Sequence, residues 1–590
     1  MRRLISLHFL LFSVLIWNSC SKEKDVVDDV ESASELISDL EKSPELLHGS
    51  WNLSEGNPIE GRESVNCEAK NIHFLKNDSF YLQYQDKRIK GTYEITGATT
   101  INLSVGSTLI GTVSNTLFDN NKISLELDLP EDCSGVYDGD KYFRIHQFVW
   151  EVLNEFYLWQ AEVDDLSDNI KPVGSVAYNQ LVSSYPEPEA FFESLKHPDD
   201  KFSQIRSNYE DLENSIKGID ASNGVEFILS QYGSNGSVLG FVTHILEDSD
   251  AVDKDIQRGD IFIGVDGQSL NLNNYVQLLF DDKLSYTLNM ADLNNSVLSL
   301  NGKDIELTKI ENFQTNPIQV NKIIETGGKK IAYLMYTQFA QGFDQELNNV
   351  FAEYRAEGVD ELVLDLRYNG GGLTSTALYL GGMITGQFTG QIFAQKIWNK
   401  KVTDYYESLN NTDWMKDLFV SKMVDETAIN SLNLNRVYVI TTGRTASASE
   451  MVINGLAPFI NVIQVGDTTY GKNVGGLAVV YDYIDNQGTI NPDHTYAVSP
   501  ITFSVANSEG FSDYADGLQP TDGFTLTEDI KNLGVLGETN EPMLALALND
   551  ILANSARFTI SPPQFPVENV IDDPDFLKSS LLFIYQKDLP

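Results

Sequence analysis

The chain has 590 residues of which 42% are hydrophobic, enough to bury several cores, so three or four domains are expected. Its 41 basic residues stand against 85 acidic ones, a formal charge of −44. Most of the surface therefore repels phosphate backbones and anionic membranes, which argues against nucleic acid as a partner.

Arg2 and Arg3 precede an apolar run from Leu4 to Trp17 that is too short for a mature bilayer span, the pattern of a signal peptide over residues 1–20. No later stretch approaches the ~20 apolar residues a spanning helix needs. Cys20 follows Ser19 at the end of this run, which resembles a bacterial lipobox. That resemblance implies acylation of Cys20 and an exported lipoprotein of the bacterial envelope, on the periplasmic or surface face of the outer membrane. The alternative is an ordinary cleaved signal. Cys67 and Cys133 remain as an even pair in an exported chain, so a disulfide between them is expected, with two separately buried thiols as the alternative. Residues 21–43, with Glu23, Asp25, Asp28, Asp29, Glu31 and Glu35, read as an acidic tether.

Residues 44–143 alternate polar and apolar positions in short runs such as 79–84, 91–95 and 122–127, split by turn signals at 76–78 and 119–121. The pattern predicts a small antiparallel β barrel. Its opening Gly49-Ser50-Trp51-Asn52-Leu53 resembles lipocalin-like domains, and the interior is expected to be filled by the barrel's own side chains. Residues 144–221 open on a helix, with Phe148, Val149, Val152, Leu153, Phe156 and Trp159 at helical spacing. Residues 222–306 carry short strands at 224–229 and 240–245, followed by Arg258-Gly259-Asp260-Ile261-Phe262-Ile263-Gly264-Val265-Asp266-Gly267-Gln268. These phrases resemble a bacterial PDZ-like domain. The resemblance implies strand-addition binding of a peptide C-terminus, with Gly224, Val225, Glu226 and Phe227 as the carboxylate-holding loop.

From 307 to 560 strands and helices alternate, as in an α/β layer, and 561–590 is left as a C-terminal tail. Gly358 is expected to close a helix before the buried strand 361–366. That strand runs into Asn369-Gly370-Gly371-Gly372, where consecutive glycines let a backbone approach a reacting group with its amides exposed. A second strand, 436–440, leads to Thr445-Ala446-Ser447-Ala448-Ser449-Glu450 and an apolar helix. Ser447 at the mouth of that helix is a candidate nucleophile. Ser447 to Glu450 also fits a capping box, in which the serine merely accepts an N–H. What favours chemistry is Lys472, which follows Ser447 by 25 residues, one helix and one strand later, so the chain can return to the serine's end of the sheet. A lysine acting as base must be neutral, which requires burial.

The three ordered motifs resemble the C-terminal-processing (tail-specific) serine peptidase family over roughly residues 146–555. The resemblance implies a crotonase-like ββα core and an acyl-enzyme mechanism on peptide or protein substrates approached through their C-termini. It makes Ser447 the nucleophile, Lys472 the general base, and the amides of Gly371 and Ala448 the oxyanion hole. It implies no cofactor. One departure stands out: many members have a glutamine four residues after the lysine, where this chain has Gly476, which leaves the third role unassigned. A catalytically weak or inactive peptide- or ligand-binding surface lipoprotein is the alternative. Gly466 to Lys472 matches the start of a Walker A loop, but Asn473 replaces the Ser or Thr that magnesium needs. His244 and His494 are expected as surface or packing residues, and no His or Cys cluster has metal-ligand spacing. The oligomeric state is not encoded in these features.

Overall fold

The computed structural model describes residues 40–42, 47, 49–53, 57, 69–74, 78–84, 87–119, 122–129, 133–142, 144–170, 176–185, 187–281, 283–294, 297–483, 488–492, 494–553, 562–574 and 582–584. Cys20, Cys67 and the side chain of Cys133 lie outside the described residues, and with them the expected lipidation and disulfide. The protein is a mixed α/β, multidomain molecule.

Eight strands, from Gly49–Leu53 to Cys133–Tyr142, pair in sequence order and close into an antiparallel barrel when Ser50 meets Tyr142. Alternation sends one face inward, and the interior is filled by Trp51, Ile72, Phe74, Ile101, Leu103, Leu125 and Leu127. Leu40, assigned from sequence to the tether, is buried against this barrel and donates its N–H to Ala98 O. The barrel unit therefore already includes the end of that segment.

The helix Arg144–Phe156 follows and buries Phe148, Val149, Val152 and Leu153 in the largest core. Its continuation does not form a separate body: the strand Gln204–Arg206 pairs with Ala497–Ser499 of the following α/β unit. A β unit comes next in strand order Val225–Tyr232, Ser237–Ile245, Ile261–Val265, Ser285–Asn294 and Val297–Thr308, with the short helix Tyr275–Leu279 over a core of its own.

The α/β unit is built on a five-stranded sheet in the order Ile318–Thr326, Lys329–Tyr336, Glu361–Asp365, Arg436–Thr441 and Asn461–Gly466. The last four strands are parallel. Apolar side chains cover both faces, one against the helix Asp344–Glu357 and the other against Pro542–Ile551, so these strands read as continuous apolar runs. Gly358, at φ 66°, ends the helix Asp344–Glu357 in the left-handed conformation. A second sheet lies in the order Gly372–Leu373, Leu582–Ile584, Val474–Leu477, Ile501–Asn507, Ile392–Trp398 and Lys416–Leu418. Part of the expected tail is thus a strand of this sheet. No helix among the described residues is long and apolar enough to cross a membrane.

Candidate active site

Parallel neighbours deliver their C-terminal loops to one edge of a sheet. Thr441 pairs with Gly466, so the loop holding Ser447 and the loop holding Lys472 leave side by side, and Asp467 N–H donates to Thr441 O. Ser447 is the N-cap of the helix Ala448–Leu456, at φ 61° and ψ −112°. A non-glycine residue there is strained by about 1–3 kcal/mol and persists only where its surroundings hold it. Here Ser447 N–H donates to Glu450 Oε2 at 2.8 Å, and Ala446 N–H to Asn369 O at 3.0 Å. Ser447 Oγ makes no capping bond and has no hydrogen-bond partner among the described residues. Ser447 and Glu450 thus stand in capping-box register, but only the glutamate half is closed by a hydrogen bond, which leaves the hydroxyl uncommitted.

Glu450 joins both halves of the site. Its Oε1 accepts from Thr469 Oγ1 at 2.6 Å and Gly471 N at 2.7 Å, and its Oε2 also accepts from Lys472 N at 2.8 Å. Burial raises its pKa, against these four hydrogen bonds, which favour the ionised form. The amides of Gly471 and Lys472 that a phosphate would use in a Walker loop are thereby taken by a carboxylate.

Ser447 and Lys472 are each 1% exposed. Burial lowers the Lys472 pKa well below its ordinary value, with the charges of Asp200 and Glu450 opposing the shift. Lys472 Nζ lies 4.1 Å from the centre of the Phe202 ring, a cation–π contact that favours the charged form. Asp200 is itself buried and anchored: it accepts from the amides of Phe202 and Ser203 at 2.9 Å each and from Tyr157 Oη at 2.8 Å. Sequence reasoning missed Asp200 and Phe202, since an acidic turn gives no local signal that it faces a lysine 272 residues later. It read Glu450 only as a capping residue.

Gly371, at φ 118°, comes so close to Ser447 that a Cβ there would stand 2.6 Å from Ser447 Cβ. Its N–H donates to Asn369 Oδ1 at 2.9 Å, whereas Ala448 N–H, first in its helix, has no intrahelical acceptor. Ala448 is therefore the open donor, and Gly371 can join it only by leaving Asn369. Gly476 has a steric explanation: a Cβ would meet Pro500 O at 2.1 Å, so no side chain fits while this strand pairing stands.

Arg367, fully buried beneath the glycine run, is bound by Asp365, Glu541 and Glu528. Arg258 of the β unit reaches the same Glu528 at 2.9 Å and the Tyr368 hydroxyl at 2.7 Å. His244 is buried and stacked on Tyr368, and burial first and Arg258 second push its pKa down to about 3. His494 pairs with Asp482 at 3.0 Å. Both histidines are buried in packing contacts, and neither is at the surface.

The residues 224–227 open the first strand of the β unit, but the amides of Gly224 and Val225 donate to Ser222 Oγ and Asn223 Oδ1, each at 3.0 Å. They are not presented to a carboxylate. Phe227 packs on Phe262, and Glu226 pairs with His244 across the sheet. Among the described residues no group of three His, Cys, Asp or Glu side chains is placed to hold a metal.

Residues 330–492, which contain Gly371, Ser447 and Lys472, match the model of Peptidase family S41. Residues 144–204, which contain Asp200 and Phe202, match the Peptidase S41 N-terminal domain. Both sides of the site thus lie in stretches that match S41 models. Among curated proteins, the chain is 25% identical over 211 residues to a carboxyl-terminal-processing protease of Picosynechococcus, covering 33% of this chain and 45% of that one. It is 24% identical over 350 residues to the carboxy-terminal processing protease CtpA of Bacillus subtilis, covering 58% and 63%. It therefore spans about half to two thirds of these relatives' lengths. A solved S41 structure from Bacteroides fragilis, 24% identical, covers 69% of this chain and 97% of its own with a TM-score of 0.51, a likeness of fold.

Proposed function

We propose that this chain is a serine peptidase in which Ser447 is the nucleophile and Lys472 the general base. The observation that carries the reading is the uncommitted Ser447 hydroxyl at a strained helix N-cap, tied through Glu450 to a buried lysine whose pKa is depressed. Neutral Lys472 Nζ takes the Oγ proton as Oγ attacks the peptide carbonyl carbon. Ala448 N–H, with Gly371 N–H once released from Asn369, receives the oxyanion. The C–N bond breaks as the Lys472 ammonium returns the proton to the leaving amine. Water then attacks the acyl ester, giving its proton to Lys472, and Ser447 is regenerated when the ester bond breaks and that proton returns to Oγ. Peptide and protein chains are the substrate class. The core is read as crotonase-like, and the β unit as PDZ-like, holding substrate by strand addition.

A neutral base means that kcat/KM rises with pH to a plateau. The Asp200 charge raises the Lys472 pKa, so Asp200→Asn, which keeps an oxygen for the Phe202 and Ser203 amides, moves that rise to lower pH. A profile flat in both proteins removes the lysine-base assignment. We also infer an envelope lipoprotein acylated at Cys20. Labelled palmitate then enters the wild type and not Cys20→Ser, and equal labelling would remove the anchor.

A further inference from the structure

The strand Val225–Tyr232 is the edge of its sheet, and its outer side is taken by the chain's own C-terminal segment. Ser230 and Val570 form an antiparallel bridge. Ile571 N–H donates to Leu229 O at 2.9 Å, Gln231 N–H to Asn569 O at 3.0 Å, and Ser230 Oγ bonds Glu568 O. The Ile571 side chain packs on the core that also holds Phe227, Tyr275 and Phe280. This is β-addition of an extended peptide, made in cis.

The segment then crosses the loops that carry the reacting groups. Arg444, three residues before Ser447, donates to Ile571 O at 2.5 Å and pairs with Asp573 at 2.7 Å, both side chains buried. The hydroxyl of Tyr470, two residues before Lys472, donates to Asp572 at 2.9 Å. Further on, Leu582–Ile584 lies parallel between Gly372–Leu373 and Val474–Leu477, Phe583 being paired with both Leu373 and Gly476. Those two flanking strands leave the oxyanion loop and the lysine loop, and they meet only through this segment. Without it they frame a slot about two strand spacings, or roughly 10 Å, wide beside Ser447, the width one extended peptide fills.

We infer that residues 568–573 and 582–584 occupy the track a substrate peptide takes, from the Val225–Tyr232 edge past Arg444 and Tyr470 into the slot, so that the chain is shut by its own C-terminus. The ligand class follows from the occupant: an extended segment with an acidic pair read by Arg444 and Tyr470. The inference rests on the peptidase reading of Ser447, a side chain that is only 1% exposed in this closed form. Tethering gives such an occupant an effective concentration in the millimolar range, so a free peptide competes poorly until the tether is displaced or removed.

The test compares the full chain, a chain ending at Val567, and the full-length Asp572→Ala/Asp573→Ala variant, which keeps every strand and judges the case if truncation misfolds. Both changes should lower KM for an unstructured peptide at least tenfold, and a synthetic 568–590 peptide should inhibit the truncated chain. The same peptide, fluorescein-labelled, should bind truncated Ser447→Ala and not full-length Ser447→Ala, as read by anisotropy. Equal KM in all three proteins with no peptide binding overturns the inference. Peptide binding to truncated Ser447→Ala without hydrolysis by any form leaves the track standing and removes the peptidase reading.

Discussion

Ser447→Ala and Lys472→Arg each reduce peptide hydrolysis by on the order of 10⁴-fold or more, as removal of a nucleophile or base does where the two act as a unit. Lys472→Arg is the sharper of the two. It keeps a long basic side chain beside the Phe202 ring, but a guanidinium stays charged, does not deprotonate and cannot take the Oγ proton. The double variant should be scarcely worse than either single one, because loss of either member already stops the transfer. A fluorophosphonate should label Ser447 in the wild type, and only weakly in Lys472→Arg, whose hydroxyl is no longer activated. Circular dichroism and melting must stay near wild type for the loss to be chemical. Hydrolysis within tenfold of wild type in Lys472→Arg would sink the dyad.

Arg367→Met destabilises the α/β unit by about 3–5 kcal/mol, since it leaves buried carboxylates without their cation. Asp365 is fully buried and Glu541 nearly so, and Arg367 binds the first through Nε at 2.9 Å and the second through two bonds at 2.8 and 3.0 Å. Glu541 also caps the helix Pro542–Ile551 through Leu544 N–H, so its movement frays the helix that covers one face of the main sheet. Asp365 retains the Tyr333 hydroxyl at 2.6 Å, and Glu528 retains Arg258, which keeps the loss from being larger. Burial alone would raise the Glu528 pKa, but Arg258 and Arg367 hold it below its ordinary 4.5. Its contribution is therefore present above that value and fades as pH falls through the depressed one, so the gap between wild type and variant narrows in acid. The readout is the thermal transition of the α/β unit, followed separately from the barrel because a multidomain chain need not melt in one step. An unchanged transition temperature would mean that the arginine is not holding these carboxylates.

The chemistry-bearing positions were legible because their signals are local. A glycine run at a strand exit, a serine at a helix mouth and a lysine one helix and one strand later need only the rule that parallel strands send their loops to the same edge, and Ser447, Gly371 and Lys472 do stand at that edge. The alternating runs of 44–143 announced a barrel for the same reason, since a period of two is written in neighbouring residues.

What only the tertiary structure decided are pairings between residues distant in sequence. Asp200 and Phe202 approach Lys472 because Gln204–Arg206 pairs with Ala497–Ser499, and nothing near residue 200 encodes that register. The amides expected to stand open at Gly371, Gly224 and Val225 are taken by Asn369, Ser222 and Asn223, a choice made by side-chain geometry that a glycine run does not reveal. The segment read as a tail lies along one sheet edge and inside another because unpaired strand edges accept an extended segment whose backbone groups reach them, a pairing that its local sequence pattern does not announce. Sequence by itself thus determined which residue types could react and which elements carry them, through periodicity and spacing. Their environment, and so the protonation of Lys472 and the access to Ser447, was decided by long-range hydrogen bonding and burial, which no local pattern records.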